Sequence, residues 1–197
     1  MSEVITGADG RPRCPWAISA PDYLAYHDQE WGRPVTDDDG LFERLTLEAF
    51  QSGLSWLTIL RKRSAFRAAF DGFRISAVAR YGEADVARLL ANPGIVRNRA
   101  KIEAAIHNAR AALALPDGLA TLLWSFAPPP RSTRPATSAE VPTAIPESRA
   151  MAATLKRHGF RFVGPTTAYA LMQATGMVDD HLAGCHVTIG PAPPVAT

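Results

Sequence analysis

Two groups of residues in this 197-residue chain could do chemistry: a glutamate among apolar helical positions, and cysteines and histidines near the two ends. Glu48 lies seven residues after Leu41 and three after Leu45, so a helix through this stretch puts all three on one face. A carboxylate on an apolar face loses water on folding. It must then meet a cation or a donor, or keep its proton. Paired with an arginine, Glu48 would be a plain buried ion pair. Facing a pocket, it would accept hydrogen bonds from a small flat ligand that carries positive charge. Gln51, Ser52, Gly53 and Trp56 follow it, and Trp16, Tyr23 and Tyr26 precede it. Aromatic faces hold planar groups, and hold cations more strongly. Trp16, Tyr23, Tyr26, Glu48 and Trp56 together suit a flipped purine that carries positive charge. An alkylated adenine of that kind is already a good leaving group, so extrusion and stacking count for more than acid catalysis. The plainer alternative is an aromatic minicore under the first helix.

His181 and Cys185 are four apart, which on a helix puts an imidazole and a thiolate on one face. Cys14 and His27 lie near the other end. The four form a closed Cys2His2 set suited to a structural zinc that ties the two ends of the fold together. His186 could replace either histidine, and two free cysteines with ordinary histidines are the alternative.

These groups need elements to position them. Pro21 to Asp28 reads as a short helix opened by its proline. Thr36 and three aspartates cap and charge the start of the helix carrying Glu48. Trp56 to Phe70 is a second helix. Its apolar face is Trp56, Ile59, Leu60 and Phe66, and its basic face of Arg61, Lys62, Arg63 and Arg67 reads as solvated. Ser76 caps a short helix, and Glu83 to Leu90 forms another. Residues 89–101 then read as a tight helical hairpin broken at Asn92-Pro93-Gly94, with its second helix running to about Leu115. The free N–H groups at that start, with Arg97, Arg99 and Lys101 around them, suit contact with a DNA backbone. Residues 127–146 hold six prolines and form a connector. Helices follow from Glu147 to His158 and from Thr166 to Gly176, with an extended crossing between them.

The periodicities are nearly all helical, so the expected fold class is all-α. The expected organisation is a disordered lead-in over 1–13, one domain over 14–186 and a disordered tail over 187–197. Apolar content of 47% and charged content of 20% are those of a soluble globular chain. A net charge of +2 carries no strong pull on polyanions by itself. No apolar run reaches 18 residues, and the N-terminus lacks an apolar signal core, so the expectation is a cytoplasmic protein with no membrane partner. Two cysteines in a reducing compartment point away from a disulfide.

Four runs together closely resemble the 3-methyladenine DNA glycosylase I family: CPWAISAPDYLAYHDQEWGRP, LFERLTLEAFQSGLSWLTILRKR, GIVRNRAKIEAAIHNARA and GFRFVGPTTAYALMQATGMVDDH. The resemblance covers roughly Cys14 to Cys185. It implies a helix-hairpin-helix DNA glycosylase bundle whose termini are tied by one structural Zn2+ on Cys14, His27, His181 and Cys185. It places the base-recognition glutamate on Glu48 and the pocket aromatics on Trp16, Tyr23, Tyr26, Trp31 and Trp56. The implied activity is hydrolysis of the N-glycosidic bond of N3-methyladenine in double-stranded alkylated DNA. The products are free 3-methyladenine and an abasic site, and the enzyme is expected to be a monomer. Backbone contact falls to Gly94, Ile95, Val96, Arg97, Arg99 and Lys101. Related glycosylases that also cut the strand carry a lysine where this chain has Asn98, so no Schiff base is expected. Asp117, in a Pro-Asp-Gly turn, is a poor match for the catalytic aspartate of those relatives. Two rival functions remain: a non-catalytic DNA-binding module, and a zinc hydrolase using His27 and His181.

Overall fold

A computed structural model describes residues 3–190. Nine α-helices are assigned among them: α1 (Pro21–Gln29), α2 (Asp38–Gln51), α3 (Trp56–Ala69), α4 (Ile75–Val78), α5 (Glu83–Ala91), α6 (Arg99–Leu113), α7 (Gly118–Trp124), α8 (Pro146–Arg157) and α9 (Pro165–Ala174). The bundle is built around α2, which packs against α3, α4, α6, α7 and α9. Leu41, Leu45, Phe42 and Phe50 of α2 are buried, and Phe50, Phe66, Phe70 and Phe73 form a chain of ring contacts beneath it. Full burial of each such ring contributes roughly 1.5–3 kcal/mol.

The three aspartates at the start of α2, Asp37 to Asp39, cap three different helices. Asp37 Oδ1 accepts from Gly40 N at 2.7 Å and caps α2 itself. Asp38 Oδ1 accepts from Ala120 N at 2.7 Å in α7, and Asp39 Oδ1 accepts from Ile75 N at 2.8 Å. The cap of α4 is therefore Asp39, not Ser76. One short acidic run orients three helix starts, which are the electropositive ends of helices.

The basic face of α3 is not simply solvated. Arg61 pairs with Asp22, Arg63 with Glu30 and Arg67 with Glu43, while Lys62 donates to the carbonyls of Pro93 and Gly94. These contacts bind α3 to α1, α2 and the turn between α5 and α6.

The lead-in also differs from expectation. Ile5–Thr6 and Pro12–Arg13 form a two-stranded antiparallel hairpin. Arg13, at 2% exposure, reaches both Asp9 and Asp28 at 2.7 Å. The start and end of the described chain meet: His186 N donates to Pro12 O at 2.8 Å, and Val187 is buried beside Cys14. Val187 thus belongs to a small core and not to a tail; residues 191–197 lie outside the described residues. Gly176 closes the seam between α1 and α9. Its φ is +74°, and a Cβ there would stand 2.6 Å from Gly32 O.

Candidate functional site

A cavity of about 240 Å³ opens beside the C-terminal half of α2. It is lined by Trp16, Tyr23, Tyr26, Trp31, Glu48, Gln51, Trp56, Ala170 and Gln173. Six sequence-singled residues, Trp16, Tyr23, Tyr26, Trp31, Glu48 and Trp56, therefore come together. Trp16 is the hub of the rings. Its centroid lies 5.6 Å from Tyr23 and 5.1 Å from Trp31, edge-on to each, and Tyr26 lies 5.5 Å from Trp56. Edge-to-face packing holds such rings rigid while leaving some faces open to the cavity.

Glu48 is 7% exposed and accepts no hydrogen bond from the described residues. The ion-pair alternative fails for a specific reason: Arg44, one turn earlier, is taken by Glu43 and Glu30. Burial pushes the Glu48 carboxyl up to about 8, with Arg44 opposing only weakly. In the empty pocket at neutral pH the group mostly keeps its proton. A cation entering the pocket would favour the carboxylate. The Trp56 indole N–H is also buried without an acceptor.

The α2–α3 connection forms the rim. Lys101, at 9% exposure, donates its ammonium to the carbonyls of Phe50 (2.9 Å) and Ser52. It caps the open end of α2, where the helix dipole is negative. It is therefore turned inward and is not placed to meet a phosphate. Its inward turn follows from its position on α6, where Ile102 and Ala105 are buried next to it. Gly53 has φ +79°, and Leu54 beyond it is 41% exposed, in the connection between the lining residues Gln51 and Trp56. Sequence reasoning passed over Leu54, Ala170 and Gln173; an apolar residue at a Gly-Leu-Ser turn was the only available signal.

The hairpin places Gly94, Ile95, Val96 and Arg97 between α5 and α6, and Arg99 is the first residue of α6. Gly94 is tight against α3, since a Cβ there would stand 2.9 Å from Ala65 Cβ. The Ile95 side chain is buried, leaving only its backbone for any partner. Arg97 is exposed and has no partner among the described residues, whereas Arg99 is shared between Glu83 and Glu103. Asn98 caps α6 by accepting from Lys101 N at 3.1 Å. Asp117 is exposed, at the start of α7, and lines neither cavity.

Cys14, His27, His181 and Cys185 converge behind the aromatic wall, with all their ligand atoms within 4.8 Å of one another. Cys185 Sγ stands 3.5 Å from His27 Nε2 and 3.7 Å from His181 Nδ1, and Cys14 Sγ stands 3.9 Å from His181 Nδ1. Tetrahedral zinc, with bonds of about 2.0–2.3 Å to N and S, puts its ligand atoms about 3.5–3.8 Å apart. The donor set fits. Asp28 Oδ1 accepts from His27 Nδ1 at 2.8 Å, and Trp31 O accepts from His181 Nε2 at 3.3 Å. Each outer partner leaves the other ring nitrogen aimed at the sulfurs. The closeness of the two sulfurs, helped by burial, pushes the Cys14 thiol up and holds Cys185 well below the usual thiol range. A divalent cation would relieve that conflict by taking two thiolates. His186 bonds Asp28 at 3.2 Å and stands outside the set of four. His181 and Cys185 are joined by a turn, not a helix, closed by Cys185 N to Leu182 O at 2.9 Å. All four residues are buried, as a closed structural site would need.

The chain was compared with known proteins. Residues 16–188 match the model of the methyladenine glycosylase family. The DNA-3-methyladenine glycosylase 1 of Escherichia coli strain K12 is 46% identical over 177 residues, covering 88% of this chain and 95% of that protein. A crystal structure of a 3-methyladenine DNA glycosylase I superposes with a TM-score of 0.84 at 48% identity, covering 88% of this chain and 98% of the other. The Staphylococcus aureus 3-methyladenine DNA glycosylase I, solved for the basis of 3-methyladenine recognition, superposes with a TM-score of 0.83 at 35% identity, covering 88% and 95%. With its fold, its pocket and its sequence in agreement, this chain belongs to the methyladenine glycosylase family.

Proposed function

We propose that this protein is a base-excision glycosylase that hydrolyses the N-glycosidic bond of N3-methyladenine in alkylated duplex DNA and leaves an abasic site. The observation that carries the reading is Glu48: a buried carboxyl with no hydrogen-bond partner, on the wall of an aromatic cavity. Methylation at N3 makes the base cationic. Trp16, Tyr26 and Trp56 hold its plane, and its charge draws Glu48 to the carboxylate form. A neutral purine brings no such charge and leaves the carboxyl protonated.

The glycosidic bond breaks with its electron pair moving to the base, which leaves as neutral 3-methyladenine. Positive charge passes to the sugar until water adds at C1′ and gives up a proton. Because the leaving group is already activated, no acid is needed at the base. Glu48 touches the base and does not need to attack it. The amine and aspartate used by strand-cutting relatives are absent from the site: Asn98 is committed to capping α6, and Asp117 stands away from the cavity.

The turn between α5 and α6 takes the DNA backbone through Gly94 to Arg97, with Arg97 free to neutralise a phosphate. Leu54, in the α2–α3 connection, fills the stack left by the flipped base. Cys14, His27, His181 and Cys185 hold one zinc ion, which supplies a cross-link between the ends of the chain and no reacting position.

The test is to incubate the zinc-loaded protein with duplex DNA treated with dimethyl sulfate and to identify the released bases by chromatography. The reading expects N3-methyladenine in solution, N7-methylguanine left in the DNA, and strands cut only when the abasic sites are later treated with alkali. Release of no base would overturn it.

A further inference from the structure

Gln173 of α9 lines the pocket, yet nothing in the chemistry above uses it. Its Nε2 donates to Asp180 Oδ2 at 2.8 Å. Asp180 is buried, and its carboxylate also accepts from Tyr169 Oη and, at 2.6 Å, from Arg131. A carboxylate held by a guanidinium can only accept, so the amide nitrogen of Gln173 must face it. The amide oxygen must then point the other way. Gln173 Oε1 meets no donor among the described residues, although the side chain is half-buried. A second cavity, of about 280 Å³, adjoins the first behind Trp16 and Trp31, and Gln173 and Asp180 both line it. The lock therefore lies in the partition between the two cavities.

We propose that Gln173 determines base specificity: Oε1, fixed in orientation by Asp180, accepts from the exocyclic amine of adenine and turns away a base that carries a carbonyl there. This rests on the base-excision reading. Glu48 and Gln173 then give the pocket two acceptors. An adenine amine has two N–H groups to offer, whereas guanine would set its own carbonyl oxygen against Oε1. In a desolvated site an acceptor facing an acceptor leaves both unpaired, and that cost discriminates more sharply than shape does. The lock matters because an unrestrained amide would rotate and offer its NH2 to the carbonyl.

The experiment measures release of N3-methyladenine and N3-methylguanine from the same dimethyl sulfate-treated duplex. It uses wild type, Gln173→Met and Asp180→Asn. The ratio of the two rates within one sample does not depend on how much of a variant is folded. Gln173→Met keeps the length and loses the acceptor; it should lower the adenine-to-guanine ratio about tenfold, through slower N3-methyladenine release together with relief of the opposed acceptors on N3-methylguanine. Asp180→Asn frees the amide to rotate and should lower the same ratio while raising N3-methylguanine release. Wild-type ratios in both variants, or equal losses on both bases, overturn the inference and leave the base-excision reading intact. A wild type that releases neither base overturns both.

Discussion

His181 donates its Nε2–H to the backbone carbonyl of Trp31 at 3.3 Å, while its Nδ1 faces Cys14 and Cys185. The ring of Trp31 stands 4.7 Å from His181 and packs edge-on against Trp16, and both tryptophans line the cavity that holds Glu48. The Cys2His2 cluster and the aromatic wall thus share a backbone carbonyl and a ring. What fixes one fixes the other.

Removal of the proposed zinc should therefore do two things. Thermal melting with a strong chelator should fall by roughly 10 °C, the effect of losing about 3–4 kcal/mol from a domain of this size. At a temperature where the stripped protein is still folded, titration with 3-methyladenine followed by tryptophan fluorescence should show affinity weakened several-fold. Unchanged affinity in folded, metal-free protein would separate the cluster from the pocket.

Glu48 makes stability depend on pH. Its pKa is raised on folding, from 4.5 to about 8, because burial penalises the charged form. The folded state therefore holds a proton that the unfolded state gives up. The contribution is fully present below about pH 4.5 and is lost as pH rises toward 8. The slope cannot exceed about 1.4 kcal/mol per pH unit. Denaturant titrations of the free protein from pH 5 to 8 should show the decline, and Glu48→Gln should flatten it. An identical slope in the variant would place the titration elsewhere.

Lys101 and Arg97 should part company in their effects. Lys101→Met removes the cap on α2 and should cost roughly 1–3 kcal/mol in stability. It should leave the salt dependence of DNA binding unchanged, because its ammonium is spent on Phe50 O and Ser52 O. Arg97→Ala should leave stability within about 0.5 kcal/mol and reduce the slope of log K against log salt by about one. Melting and binding across a salt series read both. A reduced slope for Lys101→Met would restore it to the DNA face.

The contrast between these two residues shows what a sequence carries. Arg97, Arg99 and Lys101 look alike as charges beside a helix start, and only the rotation of α6 turns one of them inward. The basic face of α3 misleads for a similar reason: its partners Asp22, Glu30 and Glu43 come from other elements, with no local signal. Glu48 was legible because a carboxylate breaks an apolar stripe. The four residues of the Cys2His2 cluster were legible by type, although a turn and not a helix joins His181 to Cys185. Gln173 was invisible. A glutamine in a helix announces nothing until Asp180 decides which way its amide points. The aspartates at the start of α2 announced one cap, and the fold uses them for three.

In the proposed reaction a buried carboxyl, held without a hydrogen-bond partner, recognises a cationic base. Single-turnover excision of N3-methyladenine by Glu48→Gln, beside its melting temperature, tests this most directly. The expected result is a loss of at least about 100-fold in rate, of the size seen when a group that meets the reacting charge is removed. The melting temperature should be equal to or above that of the wild type at pH 8, since an uncompensated buried acid is gone. A variant that excises the base at the wild-type rate would contradict this role for Glu48.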